Sequence, residues 1–251
     1  MLDNIKSKYI LVEIFKIILN KRKLKIIKLN KGIQNRLDIK IDEFKLYHIL
    51  KEFNQKYETN IEDIDEKELF LKKKYIGDEG LKDLIKIKFE RVGVLNLSMN
   101  NIRNINFLEE ANFKTLKILY LNTNHITDID ILSKVKFKGL KVLSLNENFI
   151  TNINVLQNVN FLKLKELYLN SNNIRNIVIL EKVNFRELTI LDLSYNYISY
   201  INILTKVDFK ELKKLYLGSN QIFDFYELEN VNFEELKELD ISANKIQILI
   251  F

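Results

Sequence analysis

The chain has no cysteine and no proline, and only six of its 251 residues are glycine. Without cysteine it forms no disulfide, no thiolate metal site and no cysteine nucleophile, which fits a reducing compartment. Its two histidines, His48 and His125, lie far apart. The sequence also lacks a glycine-rich phosphate loop, a paired-carboxylate cleft and a nucleophile beside a base. We therefore expect a protein that is not an enzyme and that holds no metal or cofactor.

Long apolar runs are missing as well. The apolar stretch at residues 10–19 is interrupted by Glu13 and Lys16. It has neither the basic lead-in nor the small-residue cleavage site of a signal peptide. No run reaches the length that a membrane-spanning helix needs. The expected location is therefore the cytoplasm or the nucleus.

The chain does contain a unit of 24 residues that recurs from Val92 to the C-terminus. The unit reads L-x-x-L-x-L-x-x-N-x-I-x-x-I-x-x-L-x-x-V-x-F with few exceptions. The L-x-L pair alternates as a strand does, so each unit should add one strand to a parallel sheet. Apolar residues about three apart in the second half predict helical or 3₁₀ turns. One unit cannot bury its own apolar edge, so the units must stack.

Stacking should align two interior columns. An asparagine follows each strand, where its carboxamide can pair backbone groups that would otherwise be buried without a partner. A phenylalanine ends most units and should lie inside the return. The asparagines are Asn100, Asn124, Asn148, Asn172, Asn196, Asn220 and Asn244, and the phenylalanines are Phe113, Phe137, Phe161, Phe185, Phe209 and Phe233.

This pattern resembles leucine-rich repeat proteins, especially the short-repeat kind of bacterial internalins and phosphatase regulators. The resemblance implies an α/β fold, a right-handed solenoid whose curved parallel sheet forms a concave binding face. We expect a helical N-terminal module at residues 1–60, a degenerate first repeat at 61–91 and the repeat array at 92–251. The degenerate repeat is inferred from Phe89, which precedes Phe113 by 24 residues.

Strand alternation places the neighbours of the L-x-L leucines on the concave face. Tyrosines occupy alternate units there, and aromatic residues recur at protein interfaces. We therefore expect a protein partner on this face, although β-branched and aromatic residues are also simply good strand formers. The candidate partner-binding residues are Ile118, Tyr120, Val142, Phe149, Tyr168, Ile190, Asp192, Tyr195, Tyr197 and Tyr216.

The N-terminal segment shows apolar residues at helical spacing, which predicts two or three short helices and another within residues 38–57. Its simplest role is to cap the apolar edge of the array. The segment Ile5–Leu37, which begins I-K-S-K-Y-I-L-V-E-I-F-K-I-I-L, also resembles the start of an F-box, L-P-x-x-x-L-x-x-I-F-x-x-L, without its proline. That resemblance implies a substrate receptor of a cullin-type ubiquitin ligase, with Ile10, Ile14 and Phe15 docking on the adaptor.

Two further expectations concern the ends of the chain. Residues 1–60 hold 14 Lys and Arg against 7 Asp and Glu, and the cluster at residues 21–31 suggests an alternative function of binding nucleic acid or an anionic surface. We rank nucleic acid below a protein partner, because no aromatic residue interleaves with these cations. At the other end the array stops inside a unit, and such an edge favours self-association.

Overall fold

A computed structural model describes residues 41–111 and 113–245 together with Gly32, and it leaves out the side chains of 41–44 and 227. The chain divides into two compact units, Met1–Ile64 and Asp65–Phe251. Ile10, Ile14, Phe15 and the basic cluster at 21–31 lie outside the described residues.

In the first unit, helix α1 spans Ile41–Tyr57, where the sequence predicts a helix. Phe53 and Tyr57 are buried, and their ring centroids are 4.7 Å apart. The Asn54 side chain fixes the segment after the helix: its Nδ2 donates to the Ile61 carbonyl over 2.8 Å, and its Oδ1 accepts from the Ile61 amide. One asparagine therefore ties the helix to the chain that follows it.

In the second unit, the described residues form one open, curved sheet of eight parallel strands in sequence order. From β2 onward each residue pairs with the one 24 positions later, as Ile118 does with Val142. The predicted α/β solenoid is confirmed. The strands are β1 (Glu68–Phe70), β2 (Val94–Asn96), β3 (Ile118–Tyr120), β4 (Val142–Ser144), β5 (Glu166–Tyr168), β6 (Ile190–Asp192), β7 (Lys214–Tyr216) and β8 (Glu238–Asp240).

The chain returns on the convex side through short helices. Helix α2 spans Gly77–Ile85 and α3 spans Phe107–Glu110, and 3₁₀ helices follow in the later repeats. An Asn or Asp side chain commonly fixes the start of such a helix by accepting from the backbone amide two residues later in the chain. Asn176 accepts in this way from the Val178 amide over 2.8 Å. The 3₁₀ helices are Asp130–Ser133, Asn154–Asn158, Val178–Lys182, Asn202–Thr205 and Tyr226–Asn230.

The predicted interior columns form the core. The L-x-L leucines are buried from Leu95 to Leu217, and Leu239 in the last described repeat is 42% exposed. The phenylalanine column is buried from Phe113 to Phe209, and within it the rings of Phe137 and Phe161 stack at 6.5 Å. Phe233, in the last described repeat, is only partly buried.

The turn after each strand uses a left-handed backbone residue that the sequence pattern does not reveal. The residue before each column asparagine has φ between 51° and 60°, and in no described repeat is it glycine. This conformation disfavours L side chains. The residues are Met99, Thr123, Glu147, Ser171, Tyr195, Ser219 and Ala243.

The first repeat begins with a strand that the sequence analysis did not identify. Strand β1 supplies it, and Glu68 pairs with Val94, 26 residues later. Leu69 and Leu71 are the buried L-x-L pair. Lys74 stands where later repeats have asparagine, and its amide donates to Asn100 Oδ1 over 2.9 Å. The Asn100 amide donates to Asn124 Oδ1 in the same way over 3.0 Å, so the first repeat keeps this bond to the next repeat although lysine replaces its asparagine.

Candidate partner-binding face

Two outward columns of the sheet form the floor of the candidate face. One contains Ile118 and Val142 on adjacent strands, and the other contains Tyr120, Ser144 and Tyr168. Adjacent strands are about 4.8 Å apart, which places the two tyrosines about 9.6 Å from each other. Ser144 is only 2% exposed although it faces outward. The larger side chains on the neighbouring strands therefore close over it, and the floor is continuous from Tyr120 to Tyr168.

The Tyr168 ring is held in place by a polar contact. Its hydroxyl donates to Glu166 Oε2 over 2.9 Å. Burial raises the pKa of Tyr168, and the hydrogen bond to Glu166 raises it further. Tyr168 therefore stays a neutral, oriented phenol at physiological pH, with its position fixed before any partner arrives.

The far end of the floor is charged. Lys214 Nζ lies 2.8 Å from Glu238 Oε2. The hydrogen bond from Lys214 lowers the pKa of Glu238, and a bond from Tyr216 lowers it further. Burial raises the pKa of Tyr216, as does its bond to Glu238. The floor thus changes from aliphatic at Ile118 to ionic at β7 and β8.

Asp192 has a local structural role. Its Oδ1 accepts from the Ser194 amide over 3.0 Å and from the Ser194 hydroxyl over 2.6 Å. Asp240 accepts from the Ser242 amide in the same way over 2.9 Å. These carboxylates fix the strand ends and also place negative charge on the floor.

Three of the ten sequence candidates lie past the strand ends and not on the floor. Phe149, Tyr195 and Tyr197 border the sheet on the rim where the strands end. Phe149 is 51% exposed and stacks on His125 at 5.8 Å. Tyr195 is 63% exposed, and its backbone is in the left-handed conformation. The Arg175 guanidinium lies 5.3 Å from the Tyr197 ring centroid. The structure places the other seven candidates on strands, so the set spans the floor and one rim.

Sequence reasoning missed other exposed apolar residues. Phe70, on β1, is 62% exposed and pairs with Asn96 on the floor. A shallow depression of about 530 Å³ adjoins Phe149 on the rim. Its lining includes Tyr75, Met99 and His125. The L-F-L sequence at residues 69–71 could have identified Phe70 as an outward residue of a strand. No sequence pattern marks the left-handed turns that expose the rim residues.

Among the described residues, no group of three or more His, Asp or Glu is arranged to hold a metal ion. No helix within them combines the length and apolar character needed to cross a bilayer.

Comparison with known proteins locates the same architecture elsewhere. A family model described as leucine-rich repeats (two copies) matches residues 114–158. The structure of internalin C2 from Listeria monocytogenes is similar with a TM-score of 0.61 and 21% identity, over 80% of this chain and 85% of that one. A leucine-rich repeat protein of Leptospira interrogans gives a TM-score of 0.55 and 25% identity, over 66% of this chain and 41% of that one. No curated protein sequence matches the chain.

Proposed function

We propose that this leucine-rich repeat solenoid is a non-catalytic scaffold that binds a protein partner on its concave face. The observation that carries the proposal is the partial exposure of aliphatic and aromatic side chains along the floor. Ile118, Val142 and Tyr120 stay accessible to solvent on strands whose opposite face is buried. Covering them with a partner removes apolar surface from water, which favours association.

Rigidity of the floor supports the same proposal. The hydrogen bond from Tyr168 to Glu166 holds a large ring in one orientation. A side chain that is already ordered loses less conformational entropy when a partner binds. Tyrosine also offers a broad apolar surface with a polar tip, and it is enriched where binding energy concentrates.

The test is a triple variant, Tyr120→Ser, Tyr168→Ser and Tyr197→Ser, used as bait in cell extract of the source organism. We expect recovery of the partner to fall by at least about tenfold, because aromatic residues at interface centres each contribute on the order of 2 kcal/mol. Thermal unfolding of the same variant establishes that it is folded.

A double variant, Tyr200→Ser and Tyr226→Ser, is the matched control, because both tyrosines are exposed and lie outside the strands. It should recover the partner as the wild type does. Full recovery by a folded triple variant would refute concave-face binding.

The resemblance of Ile5–Leu37 to an F-box supports a second proposal, adaptor docking in a cullin-type ubiquitin ligase. The predicted contact residues are Ile10, Ile14 and Phe15. Co-purification of a cullin adaptor with the wild type, lost on Ile14→Asp with Phe15→Asp, is the expected result. Absence of the adaptor from wild-type purifications would leave the N-terminal segment with the simpler role of a cap.

A further inference from the structure

A column of eight residues, six of them lysine, borders the concave floor where the strands begin. The residues just before successive strands bond to one another through the backbone: the Lys141 amide donates to the Lys117 carbonyl over 2.7 Å, and the Lys165 amide donates to the Lys141 carbonyl over 2.8 Å. The column runs Lys67, Gly93, Lys117, Lys141, Lys165, Thr189, Lys213 and Lys237. We call its six lysines the lysine ridge.

The ridge places like charges side by side. Adjacent members sit about 4.8 Å apart along the backbone, and like charges directly opposite each other on neighbouring strands destabilise a sheet. Lys117, Lys141 and Lys165 occupy three consecutive positions, and all three side chains are exposed.

The described part of the chain does not neutralise the ridge. Within it, no carboxylate forms an ion pair with a ridge lysine. Glu187 lies near Lys165 and Lys141, but its carboxylate is engaged by Lys163, which is not a ridge residue. An arrangement that breaks a local rule with no direct ion pair to offset it is a mark of a functional surface.

We propose that the lysine ridge binds an acidic segment of the protein partner, an inference that rests on the proposed binding at the concave face. The ridge and the floor are contiguous, since Lys117 directly precedes Ile118 and Lys141 directly precedes Val142. A partner that covers the aliphatic floor therefore meets the ridge along its border.

The floor's own charges favour a protein over a nucleic acid as this partner. Glu166 lies on the floor directly after the ridge residue Lys165, and Asp192 lies on the floor at the end of the neighbouring strand β6. A nucleic acid carries a phosphate at every nucleotide, so these carboxylates would repel it wherever it crossed the floor. A protein segment can place Asp and Glu against the ridge and neutral residues over the floor. Exposed ion pairs are individually weak, so the ridge acts mainly through the rate and salt dependence of association.

A labelled oligo-glutamate peptide is the probe, with fluorescence anisotropy at low ionic strength as the readout. The ridge variant carries Lys117→Gln, Lys141→Gln and Lys165→Gln. The matched control carries Lys134→Gln, Lys182→Gln and Lys206→Gln, which remove the same charge from exposed residues of the convex return. We expect the ridge variant to bind the peptide about tenfold more weakly and the control less than about twofold more weakly.

Equal loss in both variants would overturn the inference, because net charge alone would then explain the binding. Tighter wild-type binding of a single-stranded oligonucleotide of equal length would also overturn it, in favour of a nucleic acid. Thermal stability at low salt should be unchanged or higher in the ridge variant, since repulsion is removed. A marked fall would assign the lysines to the fold and refute the inference.

The ridge and the floor can fail separately. The tyrosine triple variant should bind oligo-glutamate as the wild type does, because the ridge is intact in it. If the ridge variant recovers the partner from extract undiminished, the ridge inference is wrong and concave-face binding stands. If the tyrosine variant recovers the partner while only the ridge variant loses it, the ridge inference stands and the floor is not the binding surface.

Discussion

Asn172 Nδ2 donates to the Leu145 carbonyl, in the preceding repeat, over 3.0 Å. The same side chain accepts from the Ile150 amide over 2.9 Å, so one carboxamide joins two repeats at buried backbone groups. Replacing Asn172 with Ala removes the acceptor of the buried Ile150 amide and leaves the Leu145 carbonyl with only the bond from Asn148 Nδ2. We expect the free energy of unfolding to fall by about 1–3 kcal/mol, measured by chemical denaturation.

Asn244 makes the equivalent bonds, but it is only partly buried. Its replacement by Ala should cost less, because water can reach the groups that lose their partner. An equal cost at Asn172 and Asn244 would contradict this dependence on burial.

Phe185 is 2% exposed in the middle of the phenylalanine column. Truncation to Ala removes buried apolar surface and leaves a cavity that the flanking repeats cannot fill. The expected cost is about 3–5 kcal/mol in the free energy of unfolding. Phe233→Ala serves as the comparison, since Phe233 is partly exposed and should cost less. A larger effect at Phe233 than at Phe185 would show that the column is not the continuous core.

The raised pKa of Tyr168 predicts a pH dependence. The unfolded phenol ionises near pH 10, whereas the folded phenol, buried and bonded to Glu166, ionises at higher pH. Its contribution to stability is therefore complete below about pH 10 and is lost as the pH rises toward the folded pKa.

The measurement is the difference in unfolding free energy between the wild type and Tyr168→Phe from pH 8 to pH 12, which removes the background from titrating lysines. The wild type should lose stability relative to the variant above pH 10. A pH-independent difference would mean that the raised pKa makes no contribution to stability.

Thr123 has φ of 54°, a conformation that is unfavourable for a β-branched residue. Thr123→Gly relieves the strain in the folded protein. It also increases the conformational entropy of the unfolded chain, which offsets part of the gain in stability. The net expectation is a gain of about 0.5–1 kcal/mol in thermal or chemical unfolding. Thr151→Gly is the control, because Thr151 is exposed and its φ is not positive; it should lose stability. Destabilisation of both variants alike would mean that the left-handed turn imposes no strain at Thr123.

The sequence was sufficient for the array because the L-x-L leucines and the asparagines recur at one interval. It was insufficient at Leu69 and Leu71, where lysine replaces the asparagine and the longer α2 changes the interval to 26. Lys74 has no carboxamide, yet its amide still donates to Asn100 Oδ1 of the next repeat, as the Asn100 amide does to Asn124 Oδ1. A contact supplied by a neighbouring repeat cannot be read within a single unit.

The candidate site was predictable where it depends on strand alternation. Tyr120 and Tyr168 lie on the floor as expected. Tyr195 and Tyr197, which the register places just past the strand, lie on the rim, where the left-handed residue after each strand redirects the chain. The burial that raises the pKa of Tyr168 depends on side chains from other strands, which alternation within one strand does not specify.

The bonding of each asparagine to the repeat before it also governs how such a protein changes over generations. Since Asn148 and Asn172 present the same donors and acceptors one repeat apart, a duplication of one whole unit would insert without disturbing its neighbours. It would lengthen the molecule by about 4.8 Å and separate residues that had stood side by side. The length of the repeat array and the residues on its concave face can therefore change independently in evolution.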